Sequence, residues 1–84
     1  MSKGTLYVGG LSEAASDSEL RDILRTYGTV EHAFVVRHKR SVKSAGYGFV
    51  EMGSQEDALR AIAALDGAMF EDNRLRVFLT APSA

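Results

Sequence analysis

The residues best suited to ligand chemistry are two aromatic rings in the segment 44–52, which alternates like a β-strand. Side chains of a strand point in turn to its two faces, so Tyr47 and Phe49 share one face with Glu51. The opposite face carries smaller or aliphatic groups, namely Gly48, Val50 and Met52. Aliphatic side chains normally form the core, which would leave the rings facing water. This strand alone does not decide the matter, since the rings could equally be the buried side.

A basic segment precedes this strand. Residues 37–43 hold four of the ten cations and no acid, which leaves six cations against eleven acids elsewhere. The four cations are Arg37, Lys39, Arg40 and Lys43. A net charge of −1 argues against strong nonspecific binding of nucleic acid, but a local basic cluster could attract phosphate groups. A solvated hairpin tip would have the same composition, so both interpretations stay open.

The residue types that catalysis requires are scarce in this chain. It has no cysteine, which excludes a disulfide scaffold and thiolate metal sites. The two histidines, His32 and His38, show no spacing with carboxylates that indicates a metal site. Gly46 and Gly48 lack the third glycine of a dinucleotide-binding loop and run into a strand. We therefore expect no enzyme activity, no catalytic residue, no metal and no cofactor.

Two helices are predicted from capping signals and apolar spacing. Ser16 and Ser54 each stand three positions before an acidic residue, a pattern typical of a helix start. Apolar residues then recur three and four positions apart, so each helix has one face to bury. Gly28 and Gly67 are expected to end the helices as C-terminal caps. Tyr27 and the later Phe70, the latter in a loop, are assigned to the core.

The predicted fold is α+β and ferredoxin-like, βαββαβ, with a four-stranded antiparallel sheet and two helices on one face. The strands are expected at residues 5–8, 30–37, 44–52 and 75–80. If the helices cover the aliphatic face, the buried strand residues are Leu6, Val8, Ala33, Val35, Val50, Met52, Leu75 and Val77. The uncovered face then carries five rings, together with His32 and Arg76. The rings are Tyr7, Phe34, Tyr47, Phe49 and Phe78.

Five rings on one open face of a sheet require a ligand or a partner. Flat rings suit flat ligands such as unstacked bases, and each stacked base contributes about 1–3 kcal/mol. The basic segment would lie at one end of the same sheet, where it could follow phosphates. A protein partner or a second copy of the chain could also cover these rings, and this alternative stays open.

Two segments resemble the RNA recognition motif (RRM) family. Residues 45–52 are similar to its octamer, K/R-G-F/Y-G/A-F-V-x-F/Y, and residues 6–11 are similar to its first-strand hexamer. The resemblance implies that two or three bases stack on the two motifs, with Tyr7, Tyr47 and Phe49 as the primary platform. Secondary sheet contacts would come from Phe34, Arg76 and Phe78, and phosphate attraction from Arg37, Lys39, Arg40 and Lys43.

Three positions depart from the pattern of the family. Ala45 stands where the octamer begins with Lys or Arg, and Lys43 is the candidate to replace that missing cation. Met52 replaces an aromatic residue of the core. Asn73 stands where a glycine usually precedes the last strand, and asparagine tolerates the left-handed backbone that a turn there would need.

The composition, 45% hydrophobic and 25% charged, is typical of a folded soluble chain. We expect a single domain over residues 1–84, with its core at about 4–80 and a short C-terminal tail. No signal peptide is recognised, and no apolar run approaches the roughly 18 residues of a membrane span. The predicted ligand is single-stranded RNA, with single-stranded DNA as an alternative, bound by a monomer without a membrane partner. The expected location is the cytoplasm for a bacterial-type protein, or the nucleus for part of a eukaryotic one.

Overall fold

Two helices and six strands occur in the part of the chain that the computed structural model describes, residues 4–37, 44–70 and 72–80. In chain order they are β1 (Gly4–Gly9), α1 (Asp17–Arg25), β2 (Val30–Arg37), β3 (Ser44–Met52), α2 (Gln55–Leu65), β4 (Met69–Phe70), β5 (Asn73–Arg74) and β6 (Arg76–Leu79). Neither of these helices is long and apolar enough to cross a membrane.

Four of the strands form the main sheet, in the order β2-β3-β1-β6 with every neighbouring pair antiparallel. The predicted ferredoxin-like architecture is therefore confirmed. The remaining two strands, β4 and β5, pair as a small hairpin that the sequence analysis did not predict. Phe70 lies in this hairpin rather than in a loop, and it packs partly buried against the core as expected.

The core lies between the two helices and one face of the main sheet. All eight residues predicted to be buried on the strands are buried, although Leu75 lies just before β6, and this confirms the aliphatic face as the core side. The helices add Leu20, Leu24, Ala58, Ala61 and Leu65, and Tyr27 packs partly buried against this cluster. Leu11 and Ala15, in the segment between β1 and α1, also belong to the core.

Both helices begin at the predicted serines. The Ser16 hydroxyl accepts a hydrogen bond from the backbone N–H of Glu19 at 3.1 Å, and the Ser54 hydroxyl accepts one from Asp57, also at 3.1 Å. Each bond satisfies one of the unpaired N–H groups in the first turn of its helix. Gly67 follows the end of α2 with a φ of +85°, as expected of a terminating glycine.

Two predictions about chain turns are wrong. Helix α1 ends at Arg25 with Thr26 as its cap, so Gly28 is not the capping residue. Gly28 instead lies where a Cβ would come within 2.4 Å of the Asp57 side chain, so a close approach to α2 requires the glycine. In the β4–β5 hairpin the left-handed residue is Asp72, with a φ of +67°, and not Asn73.

On each edge strand of the main sheet, an aspartate accepts a hydrogen bond from one backbone N–H. On β2 the Val35 N–H donates to Oδ1 of Asp17, the first residue of α1, at 2.7 Å. On β6 the Val77 N–H donates to Oδ1 of Asp66, the cap residue that ends α2, at 3.0 Å. Because an edge strand offers unpaired N–H groups to passing chains, these carboxylates satisfy a donor that a foreign strand could otherwise use.

Candidate nucleic-acid interface

One aromatic ring from each strand of the main sheet contributes to a continuous row on the uncovered face. Phe34 on β2 is the register partner of Phe49 on β3, Phe49 is the partner of Tyr7 on β1, and Tyr7 is the partner of Phe78 on β6. The centroids of neighbouring rings are 5.7, 6.0 and 4.6 Å apart in that order. These four residues are called the ring band below.

A fifth ring, Tyr47, lies beside the ring band. It stacks on Tyr7 with a centroid distance of 5.6 Å and meets Phe49 edge to face at 6.1 Å. Its register partner on β1 is Gly9, which in turn pairs with Arg76 on β6. The five rings predicted for this face are therefore all there, and the sheet holds them in mutual contact.

Gly9 allows Tyr7 to lie along its own strand. A Cβ on Gly9 would come within 2.7 Å of the Tyr7 hydroxyl oxygen and 2.8 Å of its ring, closer than real side chains approach. The Tyr7 ring therefore occupies the space above the glycine, where it stacks against both Tyr47 and Phe78. The glycine of the hexamer thus determines where the central ring sits.

The rings differ in their access to solvent. Phe34 and Phe78, at the two ends of the ring band, are each 50% exposed, whereas Tyr7, Tyr47 and Phe49 are half-buried among them. Flat apolar surface of this kind is what an unstacked base can cover. The central rings are held in place by their neighbours, which limits the entropy that a ligand must remove on binding.

A row of polar side chains borders the ring band on the side away from Tyr47. His32 on β2 is the register partner of Glu51 on β3, and Glu51 is the partner of Thr5 on β1. Thr80 follows β6 and bonds to the Thr5 carbonyl through its own N–H at 2.9 Å and its hydroxyl at 3.2 Å. These residues, His32, Glu51, Thr5 and Thr80, are called the polar row below.

Sequence reasoning placed Glu51 on the ring face but gave it no role, and it did not single out the two threonines. The signal was the same alternation that placed the rings, because Thr5, Glu51 and Thr80 share the parity of Tyr7, Phe49 and Phe78. Within the described residues, no group of three or more His, Asp or Glu side chains is placed to hold a metal ion.

The predicted cations fall into three groups. Arg76 is exposed at the end of the row that contains Gly9 and Tyr47. Arg37 turns towards α1, where its Nη1 lies 3.3 Å from Oδ1 of Asp17 and donates to the Val35 carbonyl at 2.9 Å. The remaining cations, Lys39, Arg40 and Lys43, lie outside the described residues, as does His38.

The fold and this surface define a known class of domain. Residues 6–76 match the family model described as RNA recognition motif, and the chain belongs to that family. Among curated relatives, it is 38% identical over 77 residues to a Sex-lethal homolog of Megaselia scalaris. It is 43% identical over 67 residues to polyadenylate-binding protein 4 of Arabidopsis thaliana. It is 35% identical over 74 residues to glycine-rich RNA-binding protein 4, mitochondrial, of the same plant.

These alignments cover 92%, 80% and 88% of this chain but only 24%, 10% and 54% of the respective relatives. The chain thus spans about half of the glycine-rich protein and a quarter or less of the other two. Among solved structures, RNA binding protein PG1 superposes with a TM-score of 0.90 at 33% identity, over 96% of this chain and 98% of that one. A Sxl-lethal protein/RNA complex gives 0.89 at 31% identity, over 99% and 50%.

Proposed function

We propose that the protein binds single-stranded RNA by stacking bases on the ring band and Tyr47. The observation that carries this proposal is one ring from each of four strands, in mutual contact, on the sheet face that no helix covers. Such a surface exposes apolar area, and a ligand that covers this area gains a favourable contribution to its binding free energy. Membership of the family and the RNA-binding proteins among its relatives support RNA as that ligand.

The dimensions of the ring band suit a short stretch of nucleic acid. Its four rings span three inter-strand spacings, or about 14 Å at the usual strand separation. We assign the primary stacking positions to Tyr7, Tyr47 and Phe49, as two or three bases usually stack in this family. Phe34 and Phe78 extend the surface at either end, so that three or four nucleotides in total are engaged.

Phosphate attraction is proposed to come from Arg76 on the sheet and from Lys39, Arg40 and Lys43. Arg37 is a conditional contributor, because it must leave Asp17 before it can bind phosphate. Neutralising phosphates on a single strand gives a log–log salt slope of about −0.7 per contact, so two to four contacts predict about −1.4 to −2.8. A slope near zero would instead indicate an interface without phosphate contacts.

A protein partner on the same face is the second candidate function. It is favoured by the half-exposed Phe34 and Phe78, since aromatic side chains are enriched in protein interfaces. The excess of acids outside the basic segment also disfavours a polyanion. Single-stranded DNA is a third ligand to compare, and the cytoplasm or the nucleus is the proposed place of action.

An NMR titration of the whole chain with a pool of short single-stranded RNAs tests the proposal. We expect shifts at Tyr7, Tyr47 and Phe49, and an affinity about 5- to 150-fold lower in Phe49→Leu, which keeps an apolar side chain but removes the stacking ring. Tyr27→Leu is the matched control, because it removes a ring that packs against the core on the helical side. Its affinity should equal that of the wild type.

Two results would contradict the proposal, the first by excluding RNA binding and the second by excluding base stacking on the rings. One is a spectrum that does not change with any RNA pool while the same amides broaden as protein concentration rises, which would indicate self-association. The other is an equal loss of affinity in Phe49→Leu and in Tyr27→Leu, which would mean that the rings act through stability alone. A parallel titration with DNA of the same sequences shows whether the sugar contributes to recognition, since RNA carries a 2′-hydroxyl group that DNA lacks.

A further inference from the structure

The uncovered face has three rows of paired residues, which are the ring band, the polar row and the row of Tyr47, Gly9 and Arg76. Glu51 is the acidic side chain in these rows. It follows Phe49 by two positions on β3, so it projects from the same face about 7 Å farther along the strand. A carboxylate beside a surface for a polyanion repels the backbone of that ligand. A hydrogen bond to a base, which is the neutral part of the ligand, would offset this repulsion.

The carboxylate of Glu51 is available for such a contact. Its side chain is 36% exposed, and its ion-pair partner among the described residues is His32, whose side chain is 78% exposed. The Nε2 of His32 lies 3.9 Å from Oε1 of Glu51, which is beyond hydrogen-bond length. Exposed pairs at such separations contribute little to stability, so a ligand can replace this one at small cost.

The bases differ in what they offer to a carboxylate. An ionised carboxylate has two oxygens that only accept hydrogen bonds. Guanine presents two adjacent N–H donors on its Watson–Crick edge, at N1 and at N2. Adenine and cytosine each place one amino donor beside an acceptor nitrogen, and uracil places one N–H between two carbonyl oxygens. A paired set of donors matches a paired set of acceptors, and charge assistance makes both bonds strong.

We infer that Glu51 selects guanine at the nucleotide that stacks on Phe49. This inference rests on the proposed function, because it names the base that the same surface prefers. Guanine alone satisfies both carboxylate oxygens, whereas each other base turns at least one acceptor towards a negative charge. Hydrogen bonds to base edges supply sequence specificity in single-stranded RNA, while stacking tolerates every base.

The alternative role for Glu51 is general repulsion. A charge on an open apolar face disfavours contact with a second copy of the face, as acidic residues do on other exposed sheets. In that case Glu51 would weaken the binding of all RNAs by a similar factor through its charge. The two roles therefore differ in whether substitution of Glu51 changes the order of preference among bases.

Four pentanucleotides, UUNUU with N as A, C, G or U, test the inference by calorimetric titration at one salt concentration. A single strand can slide along the surface, so the variable base reaches Glu51 wherever it binds best. We expect UUGUU to bind the wild-type protein about tenfold more tightly than UUUUU, as one bidentate contact discriminates in other complexes. In Glu51→Gln the guanine preference should vanish, since an amide offers one donor and one acceptor and so pairs equally well with the edges of adenine and cytosine.

Glu56→Gln is the matched control, because it removes the same charge from α2, where Glu56 is 82% exposed and pairs with Arg60. It should keep the wild-type order of bases. The inference is wrong if Glu51→Gln keeps that order, or if it tightens all four RNAs equally, and RNA binding itself then stands. Failure of all four RNAs to bind the wild-type protein would overturn the inference together with the proposed function.

Discussion

The two faces of the main sheet are built from alternate residues of the same strands, yet their chemistry is opposite. On β1, Leu6 and Val8 are fully buried under the helices, while Tyr7 between them lies in the ring band. On β3, Val50 and Phe49 divide in the same way. The comparison shows that adjacent residues carry separate tasks, with stability on one face and the proposed binding on the other. Substitutions at neighbouring positions should therefore give opposite combinations of effects.

The largest effect is expected from the covered face, in Leu6→Ala. Leu6 has no exposed surface, so its truncation leaves a cavity and should lower the free energy of unfolding by about 2–5 kcal/mol. The RNA affinity of the molecules that remain folded should not change. Urea denaturation followed by titration below the unfolding transition measures both quantities. A stability loss well under 1 kcal/mol would contradict the assignment of this face to the core.

The neighbouring residue should give the reverse result. Tyr7→Leu removes the ring that contacts Tyr47, Phe49 and Phe78, and the RNA-binding free energy should weaken by about 1–3 kcal/mol. Its loss of stability should be clearly smaller than that of Leu6→Ala. Calorimetric titration and denaturation of the two variants side by side make this comparison. Equal losses of stability with unchanged affinity would place Tyr7 in the core.

A smaller effect is expected where the backbone positions the central ring. In Gly9→Ala the new methyl group meets the far end of the Tyr7 side chain, which can move away. The stability should change little, while the displaced ring should lower RNA affinity by about 1 kcal/mol, the lower end of the range for one stacked base. Near-ultraviolet circular dichroism would report the movement of the tyrosine. A changed spectrum with unchanged affinity would show that the position of the ring does not matter, and an unchanged spectrum would show that Gly9 does not position it.

The smallest effect is expected at the end of the ring band. Phe34→Leu replaces a ring that is 50% exposed and contacts Phe49 on one side only, so stability should stay within about 0.5 kcal/mol. Affinity should fall by less than in Tyr7→Leu, because the end position is not one of the primary stacking sites. The same titration measures it. A loss equal to that of Tyr7→Leu would make Phe34 a primary position.

The division into two faces could be predicted from sequence because it depends only on alternation and on one consistent aliphatic set. The β4–β5 hairpin could not, since strands of two residues carry no periodicity. The end of α1 was misplaced for a related reason. Gly28 is the residue type that usually caps a helix. The glycine is required instead by its close approach to Asp57, a residue distant in sequence, and no local pattern encodes that approach.

The site was predictable to the level of which residues share a face, and no further. The guanidinium of Arg37 turns to Asp17 on the helical side of the sheet, which is the side that alternation gives it, because Arg37 shares the parity of Ala33 and Val35. Its pairing with Asp17 was missed because Arg37 was grouped with the other cations by its position in the basic segment and not by its face of the strand. The role that we propose for Glu51 was missed for another reason, since it depends on the neighbours that two other strands supply.

The aspartates at the two edges of the sheet affect whether two copies of the protein can pair through their edge strands. A strand from a neighbour that approached β2 or β6 would meet an N–H already engaged, by Asp17 at 2.7 Å or by Asp66 at 3.0 Å. Joining the two sheets would require that this hydrogen bond break before the N–H can bond to the new strand, which costs free energy. If several copies bind one RNA as proposed, these two bonds therefore disfavour pairing of their sheets edge to edge.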